Sequence, residues 1–359
     1  MSTEGTLTLE IDGRKVAARL GETVLEAARR DGIDVPTLCH DPRLAPAGNC
    51  RSCLVEIDGQ RRLQPSCTWK AQEGQVVSTG SDRVKRHREV LFSMYLADHR
   101  AGGADDALAP KDELMEHVAA HGAPLELLQI ESPRVGRDDP NPYIHFDPTL
   151  CILCARCTRY CDEVEGVSAI TLAGRGAATT IATAGDISLM DSTCELCGGC
   201  IDTCPTGALR EKKAMALALP LDRKVEKTRT TCNFCGVGCQ LDLHVADGRV
   251  VKVTSPPPGE TVNDGNLCVK GRFAYDFVHH EDRLTEPMVR DEDGQIHVVS
   301  WEVALARAAE GLLGVKERHG ADGLGFISSS RCTGEENYLV QKISRAVMGT
   351  NNVHQCSAT

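Results

Sequence analysis

Cys151-Ile-Leu-Cys154-Ala-Arg-Cys157-Thr-Arg-Tyr-Cys161 and Cys194-Glu-Leu-Cys197-Gly-Gly-Cys200-Ile-Asp-Thr-Cys204 share the spacing C-x2-C-x2-C-x3-C. Every cysteine of the first run recurs 43 residues later, so the two runs form one internal repeat. Three thiolates this close can cover three corners of a cubane because the chain wraps tightly around it, and the fourth then points to the neighbouring core. The spacing assigns Cys151, Cys154, Cys157 and Cys204 to one [4Fe-4S] cluster and Cys194, Cys197, Cys200 and Cys161 to the other. The alternative, a zinc ribbon, uses two separated CxxC pairs rather than triplets. Small residues between ligands (Ala155, Gly198, Gly199) let backbone N–H groups approach the sulfides.

Working outward, 16 of the 18 cysteines fall into four such sets, leaving Cys332 and Cys356. A first quartet is Cys39, Cys50, Cys53 and Cys67, spaced C-x10-C-x2-C-x13-C. A fourth is Cys232, Cys235, Cys239 and Cys268, spaced C-x2-C-x3-C-x28-C, with zinc open as an alternative on ligand type alone. The chain of 359 residues carries 40 Lys+Arg against 51 Asp+Glu, a net charge of −11 that disfavours nucleic acid and anionic membranes as partners. Hydrophobic content of 41% and charged content of 25% are those of a globular chain with a core. The start, Met1-Ser-Thr-Glu-Gly-Thr, shows no secretory or twin-arginine pattern, and the longest apolar run, Ala214 to Leu221, is too short to span a membrane. A cytoplasmic chain is expected, where thiols stay reduced and serve as metal ligands.

The repeat is similar to the bacterial two-cluster ferredoxin run, with Pro205 after Cys204 but Asp162 after Cys161. The exchange of fourth ligands does not require that proline. Around the first quartet, Leu7, Leu9 and Ile11 alternate, Asp12-Gly13 turns the chain, and Val16 and Leu20 return as a hairpin. A helix over Glu22–Arg30 stopped by Gly32, a Pro/Gly/Asn loop over 42–49 and a second hairpin over Leu54–Leu63 turning at Asp58-Gly59 complete it. This resembles the β-grasp [2Fe-2S] ferredoxin. Its ten-residue first gap matches the variant in iron–sulfur subunits of respiratory complex I and related hydrogenases; an irregular zinc site is the alternative.

The fourth quartet encloses a hairpin (Leu241 to Val253, turning at Asp247-Gly248) and ends Cys268-Val-Lys270-Gly-Arg272. It resembles the N-terminal [4Fe-4S] domain of molybdenum/tungsten bis-pyranopterin oxidoreductases. There a lysine two residues past the last ligand lies between cluster and pterin, and Lys270 matches; alone, it reads as a solvated lysine. Further on, Trp301 to Arg318 reads as an amphipathic helix, Gly323 to Ile327 as a strand before Ser328–Ser330, and Glu335 to Met348 as a helix ended by Gly349. Such strand-then-helix order suggests the opening of an α/β domain.

The segments Gly325 to Tyr338 and Gly349 to Val353 closely resemble formate dehydrogenase alpha subunits. The implied fold class is α+β multidomain. Its parts would be 1–82, a β-grasp [2Fe-2S] ferredoxin; 83–142, a linker; 143–222, a two-cluster [4Fe-4S] ferredoxin; 228–284, a small β-rich [4Fe-4S] domain; and 285–359, the start of an α/β molybdopterin oxidoreductase domain. Complex I relatives place a His-plus-three-Cys cluster in the linker, spaced H-x3-C-x2-C-x5-C. Here His99 is followed at those places by Gly103, Asp106 and Asp112, so that cluster is expected to be absent and His99 to be a surface or loop histidine. A linker helix is expected over Lys111–His121, capped by Gly122.

By the same resemblance, formate loses a hydride equivalent at a Mo or W bis-pyranopterin guanine dinucleotide. Electrons then pass Lys270, three [4Fe-4S] clusters and one [2Fe-2S] cluster. Gly236-Val-Gly238 lacks the third glycine of a dinucleotide fingerprint and no strand is expected before it, so NAD+ would be reduced by a flavin-binding partner subunit among other Fe–S subunits. Two other readings are a non-catalytic Fe–S electron-transfer subunit of a complex I- or hydrogenase-like assembly, and a zinc-binding interaction module.

In the formate dehydrogenase family the segment matching Asn351 to Thr359 runs into the metal-ligating cysteine or selenocysteine, then a histidine. Cys332 and Cys356 are expected nearby as small buried side chains rather than ligands. A selenocysteine codon after Thr359, read as a stop, is therefore expected. Sequencing the gene should show an in-frame TGA, a His codon and a long open frame; a TAA there contradicts this.

Overall fold

The computed structural model of the protein describes residues 5–97, 99, 106–110, 112–122, 134, 136 and 138–355. Lys111, Gly103, Cys356 and Thr359, each singled out above, lie outside the described residues. The chain divides into two compact units: residues 1–226 with 266–272, and residues 227–265 with 273–359.

The first unit opens with strands β1 (Thr6–Ile11) and β2 (Arg14–Arg19), paired antiparallel. Asp12 and Gly13 both have positive φ, 50° and 78°, which is the primed turn that matches strand twist. Helix α1 (Val24–Arg30) begins at Thr23, whose hydroxyl accepts from the Glu26 N–H while the Glu26 carboxylate accepts from the Thr23 N–H. That capping box starts the helix after Glu22, and only then does the apolar face of Val24, Leu25, Ala27 and Ala28 turn inward.

Strands β3 (Leu54–Ile57), β4 (Gln64–Pro65) and β5 (Val76–Ser78) complete a five-stranded sheet ordered β2-β1-β5-β3-β4, with β1 and β5 parallel. The chain does turn at Asp58-Gly59, where the Gln60 N–H donates to the Ile57 carbonyl at 3.0 Å, but the strand that returns beside β3 is Gln64–Pro65 rather than the stretch up to Leu63. Sheet and helix share one core that takes in Cys53 and Cys67.

Helix α2 (Asp82–Leu96) is capped by Ser81, and α3 (Glu113–His121) by Asp112, ending at Gly122 with φ 68°. Phe92 of α2 stacks on His117 and His121 of α3 at 5.8 and 5.6 Å. Beyond them, Ile144–Phe146 pairs antiparallel with Leu209–Glu211, so strands on either side of the cysteine repeat close it like a clasp. Ile170–Ala173 and Thr180–Thr183 form a hairpin inside it.

The second unit holds a sheet in the order Glu226–Thr231, Gln240–Ala246, Arg249–Thr254. Its first strand was not expected: it does precede Gly236, although Cys232–Cys235 between them is not strand. Helix Trp301–His319 starts at Ser300, and strand Phe326–Ser328 is followed by helix Gly334–Lys342. A wider helical turn, Ile343–Met348, ends at Gly349 with φ 81°, and Val353–Gln355 returns parallel to Phe326–Ser328. Strand, helix and parallel strand are the repeating unit of α/β domains. Among the described residues no helix is long and apolar enough to cross a membrane.

Gly199 illustrates how tightly the repeat is packed. A Cβ there would fall within the ring of Tyr160, which is 1% exposed. The ring cannot give way, because its hydroxyl bonds Asn266 Oδ1 (2.6 Å) and Glu165 Oε1 (3.0 Å), and the Arg43 guanidinium lies 4.9 Å from its centre. Gly199→Ala should therefore lower unfolding stability by about 1–3 kcal/mol. An unchanged denaturant midpoint contradicts this packing.

Candidate functional site

The repeat builds two sulfur-lined cavities. One, of about 120 Å³, is bordered by Cys161, Cys194, Cys197 and Cys200; the other, of about 10 Å³, by Cys151, Cys154, Cys157 and Cys204. The fourth cysteine of each run thus stands with the other run's triplet. The wrap that brings the triplets inward has the same backbone in both copies. Leu153 and Leu196 have φ of 56° and 54°, and the next positions but one, Ala155 and Gly198, have 60° and 75°. Left-handed leucine is unfavourable on its own. It is held because the Leu153 and Leu196 N–H groups donate to the sulfurs of Cys151 and Cys194, each at 3.4 Å. Ala169 N–H donates to Cys161 Sγ at 3.2 Å. Donors aimed at sulfur favour its anionic, metal-binding form.

Burial acts the other way on the free thiols. It pushes Cys154 and Cys197 up to about 12, and raises Cys157 and Cys200 well above the ordinary thiol value, with neighbouring sulfurs adding to the shift. In each cavity, two such sulfurs that resist ionising separately suit a cationic core that neutralises them together. Among the described residues, no three His, Cys, Asp or Glu side chains converge as ligands of a single ion.

The first quartet is fully buried, Cys39, Cys50, Cys53 and Cys67 being at most 2% exposed. Cys50 N–H donates to Cys39 Sγ (3.4 Å), and Cys50 Sγ meets Ser52 Oγ at 3.0 Å. A hydrogen bond from Cys39 lowers Cys50 to about 5, and one from Cys67 lowers Cys53 to about 7, while the donors are raised.

This quartet also touches the repeat. Cys39, Cys50, Phe92, Leu114 and Ile152 share a core against which Tyr95 and Cys154 pack. Tyr95 Oη donates to the Cys50 carbonyl at 3.1 Å. Arg159 donates to the carbonyls of Cys39 and Ala45, and Glu163 accepts from the Ala45 N–H at 2.7 Å, tying the 41–49 loop to the repeat.

In the second unit Cys232, Cys235 and Cys239 are half-buried, with Cys232 N–H donating to the Cys239 carbonyl at 2.7 Å. Cys268 and Lys270 are exposed, in the segment that belongs to the first unit. Cys332 is exposed, against the expectation of a buried side chain; it ends a turn in which its N–H donates to the Ser329 carbonyl at 3.2 Å.

His99 lies outside any helix or strand, as expected of a loop histidine, but is buried, 5% exposed, rather than on the surface. Its Nε2 faces Asp112 Oδ2 and its Nδ1 the Leu150 carbonyl, both at 3.1 Å. Asp112, at one of the places where a cluster ligand would stand, has become its partner. The same Leu150 carbonyl accepts from Thr206 at 2.7 Å.

Three buried arginines had drawn no notice in the sequence. Arg156 lies between the ligands Cys154 and Cys157, Arg272 is four residues past Cys268, and Arg88 lies on α2. Each keeps at least one buried N–H without an acceptor: Arg156 Nε, Arg272 Nη2, and Arg88 Nε and Nη2. Unpaired buried guanidinium donors are costly, and anionic sulfur is an acceptor suited to them. The residues present therefore fit iron–sulfur clusters.

Four segments of the chain match known protein families. Residues 4–82 match the 2Fe-2S iron–sulfur cluster binding domain, and 141–210 the ferredoxin-like domain of NADH-quinone oxidoreductase subunit 3. Residues 225–280 match the molybdopterin oxidoreductase Fe4S4 domain and 283–359 molybdopterin oxidoreductase. The NADPH-Fe(3+) oxidoreductase subunit alpha of Geobacter sulfurreducens is 37% identical over 97% of the chain and 40% of its own length. An NADH-quinone oxidoreductase subunit of Rhizobium meliloti is 38% identical over 98% and 40%. A Staphylococcus aureus protein named "Putative formate dehydrogenase" is 30% identical over 98% and 39%. The chain thus spans about two fifths of the length of these relatives.

The raised thiols carry a pH signature. With iron removed and reductant present, the folded chain holds thiol protons that the unfolded chain loses from about pH 8.5. The stability this contributes is present below that range and lost as pH climbs through it. The denaturant midpoint of the stripped chain should fall above pH 8.5, while the iron-loaded chain stays flat. Equal slopes contradict the assignment of these thiols as ligands.

Proposed function

We propose, for a chain that belongs to the molybdopterin oxidoreductase family and carries N-terminal iron–sulfur domains similar to those of an NADH-quinone oxidoreductase, that it is the electron-relay part of a formate dehydrogenase alpha subunit. The observation that carries the relay is the exchange of cysteines between two adjoining cavities. Each cluster, once bound, takes up and gives back one electron at a time. The ligands proposed are Cys39, Cys50, Cys53 and Cys67 for a [2Fe-2S] cluster, the two exchanged quartets for two [4Fe-4S] clusters, and, by spacing, Cys232, Cys235, Cys239 and Cys268 for a third. The domain limits proposed are 1–82, 143–222, 228–284 and 285–359, with 83–142 as linker.

The chain's own residues keep the ligand sets adjacent. Cys161 and Cys204 each reach across to the other cavity, and Cys154 and Tyr95 pack against the core that holds Cys39 and Cys50. The first quartet therefore follows the Cys151/Cys154/Cys157/Cys204 set directly, without the linker cluster, whose place holds the His99–Asp112 pair. Formate as substrate is supported by the Gly325–Tyr338 motif and by the name of the Staphylococcus aureus relative. A Mo or W pterin in the full-length protein, Lys270 on the way to it, and a flavin- and NAD-binding partner follow from that reading. A relay subunit without formate chemistry is the second reading, supported by the Geobacter and Rhizobium relatives.

Purified anaerobically, the chain should hold about 14 iron atoms, the sum over one [2Fe-2S] and three [4Fe-4S] clusters, and give EPR signals of both types after dithionite. Stoichiometric zinc with little iron contradicts the relay. In the full-length protein, formate alone should bleach the cluster absorption anaerobically; no bleaching removes formate and leaves the relay.

A further inference from the structure

The two halves of the repeat differ in one charge. In the first, Arg156 stands between two cysteines of the triplet; its Nη atoms meet the Glu113 carboxylate at 2.9 and 2.8 Å, and Nη1 the Thr203 carbonyl at 3.4 Å. The matching place in the second half, 43 residues on, is Gly199, where the Tyr160 ring leaves no room for a side chain. That half has no arginine of its own beside its triplet. It receives one from far along the chain: Arg272 Nε donates to the Cys197 carbonyl at 2.8 Å, and Nη1 pairs with Asp202 at 2.7 Å.

The side chain of Arg272 is 2% exposed, and its Nη2 is buried without an acceptor. Its backbone N–H also donates to the Cys268 carbonyl at 3.1 Å. One residue thus bonds the main chain of two proposed ligands, Cys197 and Cys268, and brings a full positive charge to the first of them.

We propose that Arg272 sets the reduction potential of the cluster held by Cys161, Cys194, Cys197 and Cys200, holding it above the value those four thiolates alone would give. The inference rests on the cluster reading above. A core with four thiolates is an anion that becomes more negative when it accepts an electron, so a fixed cation nearby stabilises the reduced form and raises the potential. Burial makes Arg272 effective, because an interaction between charges near the protein interior is roughly four-fold that in bulk water. Lys270, only two residues away, is exposed and therefore screened. Asp202, paired with the guanidinium, partly cancels its charge. Arg272 is a positioning residue: it touches the ligand's main chain and acts through charge.

The pair gives the test its sign. EPR-monitored redox titrations of the full chain, with iron counted in each variant, should show Arg272→Met moving one [4Fe-4S] signal to lower potential and Arg272→Lys restoring most of the shift. Asp202→Asn should move the same signal to higher potential, and Arg156→Met should move a different one. Opposite signs at Arg272 and Asp202 are not expected of residues that merely brace the fold. The inference is overturned if Arg272→Met and Asp202→Asn shift the signal in one direction or leave it in place. It is also overturned if Arg272→Lys, like Arg272→Met, loses the iron of one cluster. A native chain that binds no iron overturns the cluster reading itself, which the iron count reports separately.

Discussion

A buried thiolate needs donors and a cation, and the fold of the first unit follows from supplying both around closely spaced cysteines. The Leu153 and Leu196 N–H groups reach the first sulfur of each run only because the chain turns left-handed there, a conformation leucine otherwise avoids. That turn aims three side chains at one point and sends the fourth across to the sister cavity. Strands Ile144–Phe146 and Leu209–Glu211 then pair around both cavities, so neither half of the repeat closes alone. The π-like turn at Tyr160–Val164, the locked Tyr160 ring and the glycine at 199 all serve that same close approach.

The relation of the first quartet to the repeat is set by packing rather than by another metal site. Where relatives of complex I type would have ligands, the chain has Gly103, Asp106 and Asp112, and the last of these bonds His99 instead. His99 in turn meets the Leu150 carbonyl one residue before Cys151. The linker thus keeps a polar anchor on the repeat, while α2 and α3 bring Phe92, Tyr95 and Leu114 over Cys39 and Cys50. The sulfurs of Cys39, Cys50 and Cys154 end up around one shared apolar core. A dry, apolar medium between charged centres screens little, so each centre responds to its neighbour.

Much of this was legible in the sequence because it depends on local spacing. The two cysteine runs of the repeat, the Asp-Gly turns, a helix ending at Arg30 and the strand–helix order of the tail all rest on residues a few positions apart. What escaped depends on long-range placement. Arg272 reads as one more charge in a polar segment until Cys197 and Asp202 are brought to it. Gly199 reads as a spacer until Tyr160 is seen to occupy its side-chain volume. His99 loses its ligand role in the sequence, but its burial depends on Asp112 and Leu150 folding over it. Strand Glu226–Thr231, with every residue exposed, has no apolar alternation to announce it.

On the proposed reading, the first quartet and the two quartets of the repeat hold clusters close enough to act as one row. The direct measurement is the spin relaxation of the reduced [2Fe-2S] signal, recorded with the [4Fe-4S] clusters oxidised and then reduced. Packing of Cys154 against the core that holds Cys39 and Cys50 predicts faster relaxation when the cubanes are reduced, and loss of most of that acceleration in Cys154→Ser. A [2Fe-2S] signal that relaxes identically in both states, in a chain carrying its full iron, would contradict a row.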